Sequence, residues 1–282
     1  MNSIYWDRRS VLAGAISGVG TLLSSSARAA AAFTSRRITV NVTGNGKDVL
    51  LIPGLASGPG IWNQAVAAVP GYRWHRIQVR GFAGLPADAN ADGAVVRPVA
   101  DEIARYVAAA GLSRPAIVGH SMGGTLAMML GIKGLGARIM VVDMLPAGAA
   151  MVGGTASGLG FLADQVGGYL TGTVAGRRYL AQMVAQAPGA RGSDPDVIAN
   201  ALRDLANIDL APQLPRMNVP LEVVYATGAD RDQAAAITAR FRSAYAGKAG
   251  ALLVPVGPSG HMVMGDQPAR FNAELAKFLK GF

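Results

Sequence analysis

The chain has 282 residues, of which 51% are hydrophobic and 15% are charged, and its formal net charge at pH 7 is +9. This length is enough for one large domain with an insertion or for two small domains, and we expect one. The chain contains no cysteine, which excludes disulfides, a thiol nucleophile and cysteine-ligated metals. The arginines are scattered and form no basic stripe interleaved with aromatic residues, so we expect no nucleic-acid partner.

The N-terminal segment has the features of an export signal. The pair Arg8-Arg9 precedes a short apolar run, and Ala27-Arg28-Ala29 offers a cleavage site between small residues. The arginine pair resembles a twin-arginine signal, which implies transit through the twin-arginine export machinery of a bacterial cell. We therefore expect a signal peptide at 1–29, a mature domain at 30–282 and a periplasmic or secreted location. No later apolar run reaches the roughly 18 residues of a spanning helix, so we expect no stable membrane span once the signal is removed.

Strand-like and helix-like segments alternate along most of the mature sequence. Predicted strands, recognised by apolar runs or apolar-polar alternation, lie at 37–42, 49–52, 72–79, 115–118, 138–143, 221–225 and 251–256. Predicted helices, recognised by apolar residues at three- and four-residue spacings, lie at 61–69, 95–110, 125–130, 233–245 and 268–279. This order predicts an α/β fold with a mainly parallel central sheet and helices on both faces.

The alternation stops between about residue 147 and residue 215. Glycines interrupt two helical pieces there, at 179–185 and 196–205. We interpret the segment, about 147–215, as a small helical cap inserted into the domain. Its apolar residues are equally consistent with the lining of an apolar substrate pocket and with ordinary core; they include Met151, Leu159, Phe161 and Leu162.

A sequence typical of a sharp strand-to-helix turn follows the fourth predicted strand, Gly119-His120-Ser121-Met122-Gly123. A nucleophilic serine at such a turn needs small residues two positions away on either side, because the backbone is strained and crowded. Gly119 and Gly123 meet this need. Ser121 is therefore the candidate nucleophile.

A serine nucleophile requires a base, and the chain has three histidines. His75 lies inside a predicted strand, where we expect a structural role. His120 precedes Ser121 in the turn, so we expect its side chain to point away from the serine hydroxyl and to pack. His261 lies in a loop between the last predicted strand and the last predicted helix, which makes it the candidate base.

An acid that holds the histidine is expected between Ser121 and His261 in the chain, at the end of a strand. Asp230 follows the strand at 221–225 and is the favoured candidate. Asp143, which ends the preceding strand, and Asp232 are the alternatives. Each of the three is also compatible with a turn or a helix cap.

From residue 36 to the C-terminus the chain resembles an α/β-hydrolase of the general esterase and lipase-like type. The matching segments keep their expected order: Leu51-Ile52-Pro53-Gly54-Leu55, Arg80-Gly81-Phe82-Ala83-Gly84, the Ser121 turn, Val142-Asp143, Gly260-His261 and Asp266-Gln267-Pro268-Ala269-Arg270-Phe271. The resemblance implies an oxyanion hole formed by the backbone N–H groups of Leu55 and Met122. Many relatives have His-Gly where this chain has Pro53-Gly54, but the main-chain donor is retained.

The predicted activity is hydrolysis of a carboxylic ester through an acyl-enzyme, with a small apolar molecule as substrate. Serine at the turn argues against the aspartate-nucleophile branches that resemble epoxide hydrolases and haloalkane dehalogenases. No phosphate-binding loop or metal-ligand spacing is present in the sequence, so we expect neither a cofactor nor a metal. Two alternatives are an acyltransferase acting on envelope lipid or glycan, and a non-catalytic binding protein. The second is motivated by the candidate acid loop, which lacks the usual Gly-x-x-Asp spacing because Gly228 is followed by Asp230 and Asp232 at two and four positions.

Overall fold

A computed structural model describes residues 33–148, 173–185 and 189–282. The predicted signal peptide lies outside the described residues. So do 149–172 and 186–188 of the predicted cap, including its candidate lining residues Met151, Leu159, Phe161 and Leu162.

One seven-stranded sheet forms the centre of the described part of the chain, in the order β1-β3-β2-β4-β5-β6-β7. The strands are β1 (Ile38–Thr43), β2 (Lys47–Ile52), β3 (Tyr72–Val79), β4 (Ala116–His120), β5 (Arg138–Val142), β6 (Leu221–Ala226) and β7 (Leu252–Val256). Strand β1 is antiparallel to β3, and every other neighbouring pair is parallel.

Helices cover both faces of this sheet. They are α1 (Asn63–Ala68), α2 (Val96–Ala109), α3 (Met122–Ile132), α4 (Val174–Ala185), α5 (Pro195–Ala206), α6 (Arg231–Ala244), α7 (Val263–Asp266) and α8 (Pro268–Leu279). No helix among the described residues is long and apolar enough to cross a membrane.

Successive residues of β2 feed two separate apolar cores. Leu50 and Ile52 face a core shared with α2 and α3, whereas Val49 and Leu51 face a core shared with α8. Side chains alternate between the two faces of a strand, so a continuous apolar run is the composition of a strand buried on both sides. The observed α/β fold, with its mainly parallel sheet between two helical layers, confirms the prediction.

Because strands β2 to β7 are parallel to one another, the loops that follow their carboxyl ends lie at one edge of the sheet. The chain builds the sheet outward on one side of β2 and then returns to place β4 on the other side, so the strand order reverses between β2 and β4. Ligands of open α/β sheets bind at the carboxyl ends of the strands next to such a reversal. The loop after β2 and the turn at Ser121 leave the sheet at this position.

Helices α4 and α5 belong to the segment that joins β5 to β6, where the cap was predicted. The two ends of this segment pair with each other: Gly148 N–H donates to the Ile208 carbonyl, and Leu210 N–H donates to the Pro146 carbonyl, both at 3.0 Å. These two hydrogen bonds hold the ends of the segment together, so the segment does not separate β5 from β6, which pair in the sheet.

Glu222, the second residue of β6, is a buried carboxyl group at the opposite end of the strands. Only 7% of the residue is exposed, and its Oε1 has no hydrogen-bond partner in the described structure. Burial, reinforced by the nearby Glu274 and opposed by Lys277 and Arg138, raises the pKa of Glu222 to about 7. The folded state therefore binds this proton more tightly than the unfolded state does.

We expect Glu222 to make stability fall with rising pH. Its contribution is greatest below the unfolded pKa near 4.5, declines as the pH rises toward about 7, and is constant above that value. At pH 8, Glu222→Gln should raise the free energy of unfolding by about 1 kcal/mol, because a buried carboxylate charge whose Oε1 accepts no hydrogen bond is removed. Urea denaturation at several pH values measures this. A difference between variant and parent that does not change between pH 4.5 and pH 8 contradicts it.

Candidate active site

Ser121 occupies the turn between β4 and α3 in a backbone conformation that is rare for a residue with a side chain, with φ +52° and ψ −121°. Its N–H donates to the Val142 carbonyl on β5 at 2.9 Å, and its carbonyl accepts from Gly124 N–H at 2.7 Å. These bonds hold the strained turn. The side chain is half-buried and lies at the carboxyl end of the sheet.

The two glycines of the turn are needed because backbones approach closely on both sides of Ser121. A Cβ atom at Gly119 would lie 2.0 Å from the Gly123 carbonyl oxygen, and one at Gly123 would lie 2.2 Å from the Ile52 carbonyl oxygen. Both distances are far below van der Waals contact. The spacing predicted from the sequence thus has a steric cause: the start of α3 lies against the end of β2.

His261 lies in the loop after β7, and its Nδ1 is 2.6 Å from Oδ2 of Asp143. Asp143 directly follows β5, has 1% of its side chain exposed and accepts a second hydrogen bond from Ala226 N–H at 3.0 Å. A carboxylate on Nδ1 fixes the proton there and leaves Nε2 free to accept one. Ser121 and His261 make no hydrogen bond to each other within the described structure, and this contact often tightens only in the substrate complex.

Asp230, the favoured candidate for the acid, makes no contact with His261 in the described structure. Asp230 is exposed and is the N-cap residue of α6, where its side chain accepts from Gln233 N–H at 2.8 Å. Asp232 is exposed in the first turn of the same helix. Asp143, an alternative in the sequence analysis, is the carboxylate that contacts His261, because β5 lies beside β4 and its end opens directly onto the Ser121 turn.

The backbone donors predicted at Leu55 and Met122 flank the serine. Met122 is the first residue of α3, where an N–H has no partner within the helix. The Leu55 N–H makes no hydrogen bond among the described residues. A Cβ atom at Gly54 would lie 3.1 Å from Cβ of Ser121, so the peptide that carries the Leu55 N–H lies against the serine. Two unpaired donors are thus available for an oxygen anion.

Ser193, in the segment between β5 and β6, braces the loop after β2. Its hydroxyl donates to the Ala56 carbonyl at 2.9 Å and accepts from Ala83 N–H at 2.8 Å. Ala56 and Ala83 both have positive φ values, +58° and +49°. A buried hydroxyl with both bonds satisfied stabilises these two strained positions together. Sequence patterns gave no signal for this contact.

The other two histidines occupy different environments. His75 is buried with both ring nitrogens bonded, to the Tyr106 hydroxyl at 2.6 Å and to Asp48 at 2.8 Å, a structural role as predicted. His120 is 2% exposed, and its Nε2 lies 2.9 Å from the His261 carbonyl oxygen. His120 packs, as expected, but its ring packs against His261, the candidate base. No group of histidine and acidic side chains suited to a metal ion occurs within 33–148, 173–185 and 189–282.

The family of the chain follows from a family model. The alpha/beta hydrolase family model matches residues 49–274, a range that contains the Ser121 turn, Asp143 and His261. The chain belongs to the alpha/beta hydrolase family. None of the curated proteins compared with it matches its sequence.

Solved structures share the fold at low sequence identity. An esterase from Exiguobacterium antarcticum is 19% identical, with a TM-score of 0.65 over 86% of this chain and 96% of that one. An enol-lactonase from Burkholderia xenovorans is also 19% identical, with a TM-score of 0.62 over the same shares. A thermophilic esterase from Thermogutta terrifontis is 20% identical, with a TM-score of 0.63 over 86% of this chain and 93% of that one.

Gly123→Ala tests the steric cause of the turn. A methyl group at 2.2 Å from the Ile52 carbonyl must displace either α3 or the loop after β2, and we expect at least a roughly 100-fold loss of ester turnover. Gly247→Ala is the matched control, since its Cβ would meet its nearest atom at 3.6 Å. Kinetics and thermal unfolding of both variants measure the effect. Equal activity of the two variants contradicts the assigned geometry.

Asp143→Asn and Asp230→Asn distinguish the two candidate acids. The asparagine at 143 loses the carboxylate that fixes the His261 tautomer, so kcat for an aryl ester should fall roughly 10³- to 10⁴-fold. Asp230→Asn should keep parental activity and stability, because asparagine caps a helix as well as aspartate does. Steady-state kinetics decide, and the reverse pattern of losses refutes Asp143 as the acid.

Proposed function

We propose that the protein is a serine hydrolase that cleaves a carboxylic ester of a small, apolar substrate by way of an acyl-enzyme. The observation that carries the proposal is the meeting of three features at one edge of the sheet. These are the strained Ser121 turn, the 2.6 Å hydrogen bond between His261 Nδ1 and Asp143 Oδ2, and the unpaired N–H groups of Leu55 and Met122.

In the proposed acylation step, Ser121 Oγ attacks the ester carbonyl carbon while its proton passes to His261 Nε2. The carbonyl oxygen becomes an anion and accepts hydrogen bonds from the Leu55 and Met122 N–H groups, which strengthen as charge develops. The bond to the alcohol oxygen then breaks, and His261 gives its proton to that oxygen. Asp143 stabilises the imidazolium that exists between the two transfers.

Deacylation repeats these steps with water. His261 takes a proton from the water as its oxygen attacks the acyl carbon, and the same N–H groups receive the oxygen anion again. Collapse of this intermediate breaks the bond to Ser121 Oγ, which regains a proton from His261, and the carboxylic acid leaves. Every proton is returned, so no cofactor enters the proposed cycle.

A carboxylic ester, open or cyclic, is the substrate class best suited to this arrangement. The structural neighbours include proteins described as esterases and one described as an enol-lactonase, and a lactone is an ester closed into a ring. Met262, next to the base and 36% exposed, supports an apolar substrate, because its flexible side chain adapts to irregular apolar groups.

The non-catalytic alternative loses the observation that motivated it. That alternative rested on the irregular spacing around Asp230, and the acid that contacts His261 lies on a different loop. A buried carboxylate, a fixed tautomer and a strained serine are costly features, and together they favour catalysis over binding alone.

The test is covalent labelling combined with turnover. A fluorophosphonate should label the purified protein at Ser121, and the protein should hydrolyse a panel of short aryl esters and simple lactones. Ser121→Ala should lose the label and lower turnover by at least about 10³-fold. Labelling or hydrolysis that persists in Ser121→Ala, with the fold shown intact by circular dichroism, defeats the proposal. Product analysis with an added alcohol separates hydrolysis from acyl transfer.

A further inference from the structure

His120 is a buried polar residue that the proposed reaction does not consume. It is the last residue of β4 and is 2% exposed. Its Nε2 lies 2.9 Å from the His261 carbonyl oxygen, and the two imidazole rings are 4.6 Å apart between centroids with an angle of 48° between their planes. The ring of His120 therefore contacts the base by both a hydrogen bond and ring packing.

The other side of the same ring contacts the loop that supplies an oxyanion donor. A Cβ atom at Gly54 would lie 2.8 Å from His120 Nδ1 and 3.3 Å from its Cε1. Only a glycine at position 54 lets the ring approach so closely to the Gly54–Leu55 peptide group, which carries the Leu55 N–H. His120 is also joined to Ser121 by a peptide bond, so this one residue links three parts of the site.

The contacts also define the tautomer of His120. A carbonyl oxygen accepts and cannot donate, so Nε2 carries the proton that lies between His120 and His261. Nδ1 is then a bare acceptor, and it has no partner in the described structure. Burial, together with the positive charge that His261 acquires, lowers the pKa of His120 to about 3, which keeps the ring neutral near pH 7.

We propose that His120 is a positioning residue that holds the His261 loop and the Leu55 N–H donor at fixed positions relative to Ser121. Its Nε2–H fixes the backbone of His261, and its ring fixes the distance between the base and the loop after β2. Because the ring is neutral, it adds no repulsion when His261 is protonated during the reaction. This inference rests on the proposed function, because positioning has meaning only if these groups react.

The chain offers a matched control in His75. This residue is equally buried, at 2% exposure, and is hydrogen-bonded through both ring nitrogens, but its partner Asp48 lies near the amino end of β2, away from the site. Replacing either histidine by phenylalanine keeps a ring and removes buried hydrogen bonds. Both changes should lower the melting temperature, and only one should alter catalysis.

The experiment compares His120→Phe, His120→Gln and His75→Phe for aryl ester hydrolysis. We expect kcat to fall about 10- to 100-fold in His120→Phe, with KM changed less than about threefold. His120→Gln, which retains an N–H donor, should recover part of the loss. His75→Phe should keep parental kcat and KM. A kcat for His120→Phe within about twofold of the parent overturns the inference.

A measurement on the parent protein does not depend on any variant folding. Nitrogen-15 NMR should show His120 with Nε2 protonated and Nδ1 unprotonated at every pH from 5 to 9, and with no titration in that interval. A proton on Nδ1, or a titration of His120 within this range, overturns the inference. Ser121→Ala is assayed alongside; if it remains active, the proposed function fails irrespective of the His120 results.

Discussion

The close approach of α3 to the end of β2 is the constraint on which the site depends. Gly119, Gly123 and the backbone of Ile52 are so near to one another that no side chain fits between them. This contact sets the first turn of α3, with its unpaired N–H groups, against the loop that carries Leu55. Ser121 adopts a strained conformation in this turn, with φ +52°, and is thereby presented at the edge of the sheet.

A second constraint comes from the neighbouring strand. Asp143, like Ser121, has a positive φ, +49°, and both residues follow directly on strands that lie side by side. The carboxylate of Asp143 is buried, so its two oxygens need partners, and Ala226 N–H and His261 Nδ1 supply them. Strain at two adjacent strand ends is thus maintained by the hydrogen bonds that also define the geometry of the base.

Much of this arrangement is encoded locally and is therefore readable from the sequence. The strand at 72–79 and the helix at 268–279 have the bounds that their apolar periodicity predicts. The Gly-x-Ser-x-Gly spacing predicts the turn, because neighbouring backbone atoms leave room only for glycine at positions 119 and 123. Chain order admits several aspartates, so the sequence alone favours Asp230, whereas the structure brings Asp143 to His261. Asp230 directly precedes Arg231, Asp232 and Gln233, which begin a helix, and an aspartate at that position is a helix-cap signal.

Other features depend on contacts between distant residues and have no local signature. Strand β2 follows β1 after a short turn, yet β3 lies between the two in the sheet. Cβ atoms at Gly44 and Gly46 of that turn would collide with the carbonyl oxygens of Tyr72 and Gly71, at and just before the start of β3. The bond from His120 to the His261 carbonyl spans 141 positions of the chain. Packing of this kind is decided by the whole fold, not by periodicity.

The most direct test of the account is a crystal structure of the protein after reaction with a small alkyl phosphonate. We expect a covalent bond from Ser121 Oγ to phosphorus, and a phosphoryl oxygen at roughly 2.7–3.1 Å from both the Leu55 and Met122 nitrogens. His261 should lie between the adduct and Asp143. An adduct on another residue, or a phosphoryl oxygen that meets neither nitrogen, would contradict the central claim that these groups form one reactive centre.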